Sequence, residues 1–199
     1  MENWLNLDTL VSLLLGISLS AACGFRLFLP FLVVSAMAIF GHIGLPSDLS
    51  WLGSDRALLM LGIASIVEIM AYYVPFIDNL LDPIALPLAT VAGTMVTAFT
   101  LPEMNSILQW TLAAIVGGGS AGLIKGTTGL SRLGSTFLSG GWANFLLSTA
   151  EWIGASLLAF LALTLPIGAG ILAIIVLGVA IFKFWPWVSQ RFFKLVNNR

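Results

Sequence analysis

Apolar residues in this chain come in long blocks broken by short polar or proline-containing breaks, not in the alternation of a strand or the narrow stripe of a soluble helix. A bilayer-crossing helix needs about 20 mostly apolar residues. Laid along the chain, that ruler predicts seven spans, near residues 9–25, 28–45, 57–75, 84–101, 106–126, 142–164 and 167–187. The apolar run 9–45 is interrupted only by Arg26 and Pro30, and as one helix it would reach about 55 Å at 1.5 Å per residue. It therefore folds back near residues 24–30. Pro83, Pro102, Pro166 and the pair Gly140 and Gly141 mark the later boundaries.

Composition agrees with an all-α polytopic bundle. Of 199 residues, 59% are hydrophobic and 9% charged, against about 25% charged in a soluble domain. The whole chain reads as one membrane domain. A net charge of −1 with scattered basic residues excludes an electrostatic footprint for nucleic acid. One cysteine, Cys23, rules out an internal disulfide, and with the single His42 it rules out the usual zinc clusters. No cofactor is expected, and the lipid bilayer is the one partner the composition requires. The acidic start MENWLNLD is unlike a basic secretory signal, so the first span is read as retained.

Lysine and arginine placement sets the expected orientation. With the N-terminus outside and the C-terminus cytoplasmic, Arg26, Lys125, Arg132, Lys183, Arg191, Lys194 and Arg199 fall inside and only Arg56 outside. Asp48, Asp55 and Glu103 then face outward. Trp4, Trp51 and Trp110 mark the outer interface and Trp142, Trp185 and Trp187 the inner one, whereas Trp152 lies within a span.

Two acids fall inside spans. Glu68 sits in LMLGIASIVEIMAYYVPF and Glu151 in FLLSTAEWIGASLLAFLALTL. A carboxyl at helix centre costs about 2.5–3.5 kcal/mol on insertion scales, so each is a candidate ion- or solute-binding group. The competing reading keeps them protonated, or hydrogen-bonded between helices for packing alone.

Around them lie three further features. Gly16, Ser20 and Gly24 form a small-residue stripe in the first span, and Gly118, Gly122 and Gly126 form another in the fifth, each suited to close helix contact within a chain or between copies. Each stripe ends near a basic residue and each half carries one glutamate, which hints at a repeat of residues 1–103 in 104–199. Asp78 and Asp82 stand at i, i+4 between Pro75 and Pro83, and with Arg26, Lys125 and Arg132 they form a candidate cytoplasmic charge network or gate. Residues 125–144, containing Thr127, Thr128, Ser135, Thr136 and Asn144, read as a polar loop that either lies on the inner leaflet or re-enters the membrane against protein.

Catalysis finds no support. Gly118-Gly119-Ser120-Ala121-Gly122 matches G-x-S-x-G, but that elbow needs a strand-to-helix turn. His42 is expected at the opposite end of the bundle from Ser120. The chain is read as a non-enzyme.

The chain resembles a family of bacterial integral membrane proteins known as domain of unknown function 4126. The resemblance rests on Gly24-Phe25-Arg26 with Pro30, on VEIMAYYVPFIDNLLD with PLATVAGT, and on GGGSAGLIKGTTGLSR continuing through STFLSGGWAN to Glu151. Tyr72-Tyr73 departs from an Asp-Lys pair associated with other branches, and no arginine precedes Pro87, so a charge network at those positions is not carried over. The resemblance implies a multi-span membrane protein of unassigned activity and supplies no substrate. Together these features lead to a transporter or channel for a small solute or ion in the bacterial inner membrane, with a non-transporting scaffold that binds lipid or protein as the alternative.

Overall fold

The computed structural model describes residues 7–74, 77–102 and 104–197, with side chains as far as Lys183. The side chains of Trp4, Glu103, Trp185, Trp187, Arg191, Lys194 and Arg199 lie outside the described residues. The elements are α1 (Leu7–Phe25), α2 (Phe28–Ile39), a 3-10 helix (Ser47–Gly53), α3 (Asp55–Tyr73), α4 (Ile77–Thr100), α5 (Ser106–Leu112), a π-helical turn (Ala113–Gly118), α6 (Gly119–Ser139), α7 (Asn144–Thr164) and α8 (Pro166–Asn197). Among the described residues, six helices are long and apolar enough to cross a membrane, α5 to α6 counting as one continuous helix, and α2 is a shorter apolar seventh.

Small residues decide which helices touch. A Cβ on Gly16 would stand 2.6 Å from Thr100 Oγ1 of α4, and one on Gly24 would stand 2.6 Å from the Ala121 carbonyl oxygen of α6. Between them, Ser20 Oγ donates to the Gly93 carbonyl at 2.7 Å and shares a 2.7 Å hydrogen bond with Thr97 Oγ1. The second stripe closes on the other side of α4: a Cβ on Gly118 would meet Thr94 Oγ1 at 2.5 Å and one on Gly122 would meet Thr90 Oγ1 at 2.8 Å. Gly126 is looser, with only Leu86 at 4.0 Å. Both stripes thus serve contacts within the chain, with α4 at Gly16, Ser20, Gly118 and Gly122 and with α6 at Gly24. The alanines Ala21, Ala22, Ala121, Ala155, Ala159, Ala162 and Ala173 continue this close packing, all of them fully buried. Large apolar side chains such as Met60, Ile63, Ile66 and Met70 of α3 are exposed, as lipid-facing residues must be.

Gly93→Val is expected to destabilise the protein by about 1–3 kcal/mol or more, as overpacking does, because its Cβ would lie 2.6 Å from Ala121 Cβ and 2.8 Å from the Gly117 carbonyl oxygen. Gly154→Ala, where a Cβ meets nothing within 4 Å, should leave the melting temperature in detergent unchanged. Equal melting of the two variants would refute this account of the helix contacts.

Three internal boundaries differ from those expected, and the last helix, expected to end at 187, runs to Asn197. The second span, read as 28–45, is a helix of 12 residues; Gly41, with φ of +73°, closes its end, and the 3-10 helix follows after residues 43–46. The fourth, read as starting at 84, begins at Ile77 with Pro83 and Pro87 inside it, as helices buried among other helices allow. The polar loop of residues 125–144 is not a loop for most of its length: α6 runs to Ser139, and only Gly140 and Gly141, with φ of +63° and +91°, turn the chain into α7. Three of its hydroxyls fold back on their own helix, Thr127 Oγ1 to the Leu123 carbonyl at 2.8 Å, Thr128 Oγ1 to the Lys125 carbonyl at 3.1 Å and Ser131 Oγ to the Thr127 carbonyl at 2.8 Å.

A buried ion-pair cluster as the candidate functional site

The ends of α1 and α3 and the beginnings of α4 and α7 meet at one end of the bundle, where α6 passes between them. Each brings a charged or aromatic side chain inward. Asp82 lies one turn after Asp78 on α4, so both face the interior, as the i, i+4 spacing predicts. Lys125 and Arg132 lie seven residues apart on α6, two turns on one face. Arg26 follows the last residue of α1, and Glu151 stands seven residues into α7.

These residues form one connected network. Asp82 Oδ1 accepts from Lys125 Nζ at 3.1 Å and from Arg132 Nη1 at 3.2 Å. Glu151 Oε2 accepts from Arg132 Nη2 and, at 3.3 Å, from Arg26 Nη2. Arg132 therefore bridges the two carboxylates. The three cations are 0–2% exposed, which removes the solvent screening that makes surface ion pairs weak.

At the centre of the network is Tyr72, which no sequence pattern singles out beyond its place in a polar turn and in the Tyr72-Tyr73 pair. Arg26 Cζ, Lys125 Nζ and Arg132 Cζ lie 4.1, 4.4 and 4.3 Å from its ring centroid. Its hydroxyl accepts from Lys125 Nζ at 2.7 Å. Three cations repel one another, and the negative face of the ring offsets part of that repulsion. Ser148 Oγ donates to the Tyr72 carbonyl at 2.9 Å, and the Ser148 carbonyl accepts from Arg26 Nη2 at 3.3 Å, which ties α7 to the same ring.

The two glutamates hold consecutive parts of one corner. Glu68 does not join the ion pairs directly: Oε1 accepts from the Leu27 backbone N–H at 2.8 Å and Oε2 from that of Phe28 at 3.1 Å. It caps the N-terminus of α2, where a carboxylate is favoured by the unpaired amides and the helix dipole. Glu151 holds the side chain of the residue before them, Arg26. Glu68→Ala should cost about 0.5–2 kcal/mol, the usual price of a lost cap, with Glu68→Asn recovering part of it in thermal melts. A Glu68→Ala protein as stable as wild type would show that α2 needs no such cap.

Asp78 is held apart from the cations in a second polar group. Asn144 Nδ2 donates to its Oδ2, its Oδ1 accepts from the Asn79 backbone N–H at 2.7 Å, and Thr136 Oγ1 accepts from both Asn79 Nδ2 and Asn144 Nδ2 at 3.0 Å. Thr136 and Asn144 thus join α6 and α7 to the Asp78–Asn79 turn, while Thr127 and Thr128 bond back to α6 and Ser135 Oγ pairs with Ser139 Oγ at 3.5 Å. Tyr73 and Trp152 were also missed. Trp152 Nε1 donates to Tyr73 Oη at 2.9 Å, and Tyr73 Oη pairs with Thr149 Oγ1 at 2.9 Å. A tryptophan inside a span, out of place as an interface marker, was the available signal.

Three cavities approach the network. An apolar groove of ≈ 550 Å³ between α3 and α4 ends at Glu68 and Tyr72. A cavity of ≈ 380 Å³ beside Gly140, Gly141 and Asn144 reaches Tyr72 and Asp78, and another of ≈ 380 Å³ between α4 and α6 reaches Asp82 and Lys125. Among the described residues, no group of three or more His, Cys, Asp or Glu side chains is placed to hold a metal ion.

Long apolar helices around a buried, ring-centred ion-pair cluster define a multi-pass α-helical membrane protein with a charged interior. The family model described as Domain of unknown function (DUF4126) matches residues 13–185, and the chain belongs to that family. No curated protein and no solved structure matches it.

Proposed function

We propose that this protein moves a small solute or ion across the bacterial inner membrane and that the ion-pair cluster is the part that changes partners as it does so. The observation that carries the reading is the cluster itself. Burying ions costs several kcal/mol each, and apolar side chains of equal volume often pack as well or better. Packing alone is therefore a poor reason to place three cations and two carboxylates inside a membrane bundle. Shared partners make the network exchangeable, since Arg132 serves both Asp82 and Glu151, and Glu151 serves both Arg132 and Arg26. In this reading Glu151 is the exchanging carboxylate, Glu68 braces the α1–α2 corner next to it, and Asp78 with Thr136 and Asn144 forms the mouth.

The proposed orientation keeps the N-terminus outside and the C-terminus cytoplasmic, which puts the cluster near the cytoplasmic face. Arg26, Lys125 and Arg132 are buried in the bundle, so the basic bias that supports this orientation rests on Lys183, Arg191, Lys194 and Arg199. Purified protein in liposomes should carry proton, cation or anion flux above protein-free liposomes, and Glu151→Gln should lower it at least tenfold. Wild-type flux at the protein-free level, or an unchanged Glu151→Gln flux, would end the transport reading.

One observation favours the scaffold reading: both intramembrane carboxylates already have donors, Glu68 from two backbone amides and Glu151 from two arginines. On that reading the same substitution lowers stability or assembly and no flux is found. A homo-oligomer would then need a surface other than the two glycine stripes, whose close contacts are made with α4 and, at Gly24, with α6.

A further inference from the structure

One fully buried acid at this end of the bundle has no cation. Asp82 is paired with Lys125 and Arg132, and Glu151 with Arg132 and Arg26. Glu68 is partly exposed and caps α2. Asp78 is 0% exposed, and among the described residues its carboxylate meets only neutral donors, the Asn79 backbone N–H at 2.7 Å and Asn144 Nδ2. Four acids thus stand against Arg26, Lys125 and Arg132, and the buried carboxylate left without a counterion is Asp78. Such a charge is costly unless something of opposite sign comes near it.

An open acceptor and a cavity lie at the same place. Asn144 is 3% exposed and its Oδ1 accepts from no donor. Beside Asp78 and Asn144 is the cavity of ≈ 380 Å³ under the turn from α6 to α7, where Gly140 and Gly141 bring no side chain. Small-molecule sites run from about 300 to 1,000 Å³. The other walls are aromatic, from Tyr72, Tyr73, Trp142 and Phe145, with the Tyr73 and Phe145 rings 4.9 Å apart and tilted by 41°. Ring faces attract cations, and organic ammonium ions above all, because these give up little hydration to sit on them. Asp78, with no exposed surface, lies beneath the floor, and in so apolar a setting its charge is felt without contact. The cations of the cluster do not oppose this: they gather at the Tyr72 ring, are paired with Asp82 and Glu151, and none of them lines this cavity. We propose that the cavity binds a small organic ammonium ion bearing an N–H or O–H donor, with its charge among the rings of Tyr73, Trp142 and Phe145 above Asp78 and its donor directed to Asn144 Oδ1. As the class of solute that enters the mouth formed by Asp78, Thr136 and Asn144, this rests on the transport reading; as a binding site, it rests on the cavity alone.

Choline, a quaternary ammonium with one hydroxyl, is the probe, and 3,3-dimethylbutan-1-ol, of the same shape without the charge, is the control. The purified full chain in maltoside detergent is titrated with each at constant ionic strength set by sodium chloride, and thermal unfolding is followed by tryptophan fluorescence. A saturable rise in melting temperature with choline is expected, and none with the alcohol or with added sodium chloride. Asp78→Asn should weaken choline binding about tenfold or more. Trp142→Leu, at a residue 87% exposed and so tolerant of change, should weaken it about two- to fivefold. A wild-type protein indifferent to choline, or equally stabilised by the alcohol, would overturn the site, as would wild-type affinity in Asp78→Asn or in Trp142→Leu. Should Asp78→Asn fail to fold, the wild-type titrations and Trp142→Leu decide. Dihexanoyl phosphatidylcholine below its micellar concentration separates a free ion from a lipid headgroup: if it displaces choline at lower concentration than choline itself requires, the cavity holds a headgroup and the free-ion proposal falls. Choline binding without choline uptake into liposomes leaves the site standing and removes its part in transport; flux of another solute by a protein indifferent to choline removes the site and leaves transport.

Discussion

Glu151→Leu is expected to lower unfolding stability by about 3–5 kcal/mol, the range found when one partner is removed from a buried ion pair. The carboxylate is 5% exposed and its Oε2 serves Arg26 and Arg132 together, so the substitution leaves two buried guanidinium groups facing each other with less to hold them. The second substitution Arg26→Leu should recover part of the loss, because it removes one of the stranded charges. Denaturant titration in mixed micelles measures both. A single variant within 1 kcal/mol of wild type would mean that the pairs contribute nothing net, and a double variant less stable than the single would mean that the stranded charge is not the cause.

Tyr72 should show the next largest effect, and its two parts can be separated. Tyr72→Leu removes the ring under three cations, where a desolvated cation–π contact is worth about 2 kcal/mol or more; the three contacts are not additive, and the loss should fall at about 3–4 kcal/mol. Tyr72→Phe keeps the ring and removes only the oxygen that accepts from Lys125 at 2.7 Å, a hydrogen bond to a charged group worth about 1.5–3 kcal/mol. Leu should therefore be the more damaging change in the same titration. If Phe proves as damaging as Leu, the hydroxyl is what matters and the ring is not a platform for the cations.

The number and type of the helices could be read from apolar block lengths because a bilayer imposes a minimum span. The small-residue stripes were also legible, since close approach leaves a four-residue repeat in the sequence. What could not be read was partnership. Glu68 reads from the sequence as an ion- or solute-binding candidate or as a packing carboxyl, and the choice between them could not be made because its partners are the backbone amides of Leu27 and Phe28, which no side-chain pattern records. Residues 125–144 looked like a loop because Gly, Ser and Thr signal turns in water, whereas beside α4 they allow contact and bond back to their own helix. Asp78, Asp82, Arg26, Lys125 and Arg132 were chosen by charge, and the structure brings them to one end of the bundle; Tyr72 was not, because an aromatic residue near the end of a span is ordinary until three cations are seen around it.

The 12 residues of α2 rise about 18 Å, against a hydrocarbon thickness of about 30 Å. The continuous helix from Ser106 to Ser139 would rise about 51 Å. In a bilayer of that thickness, helices this short and this long would be accommodated by local thinning beside α2 and by tilt of the long helix. Acyl-chain length is therefore expected to bear on the α1–α2 corner, where Glu68 holds the Leu27 and Phe28 amides.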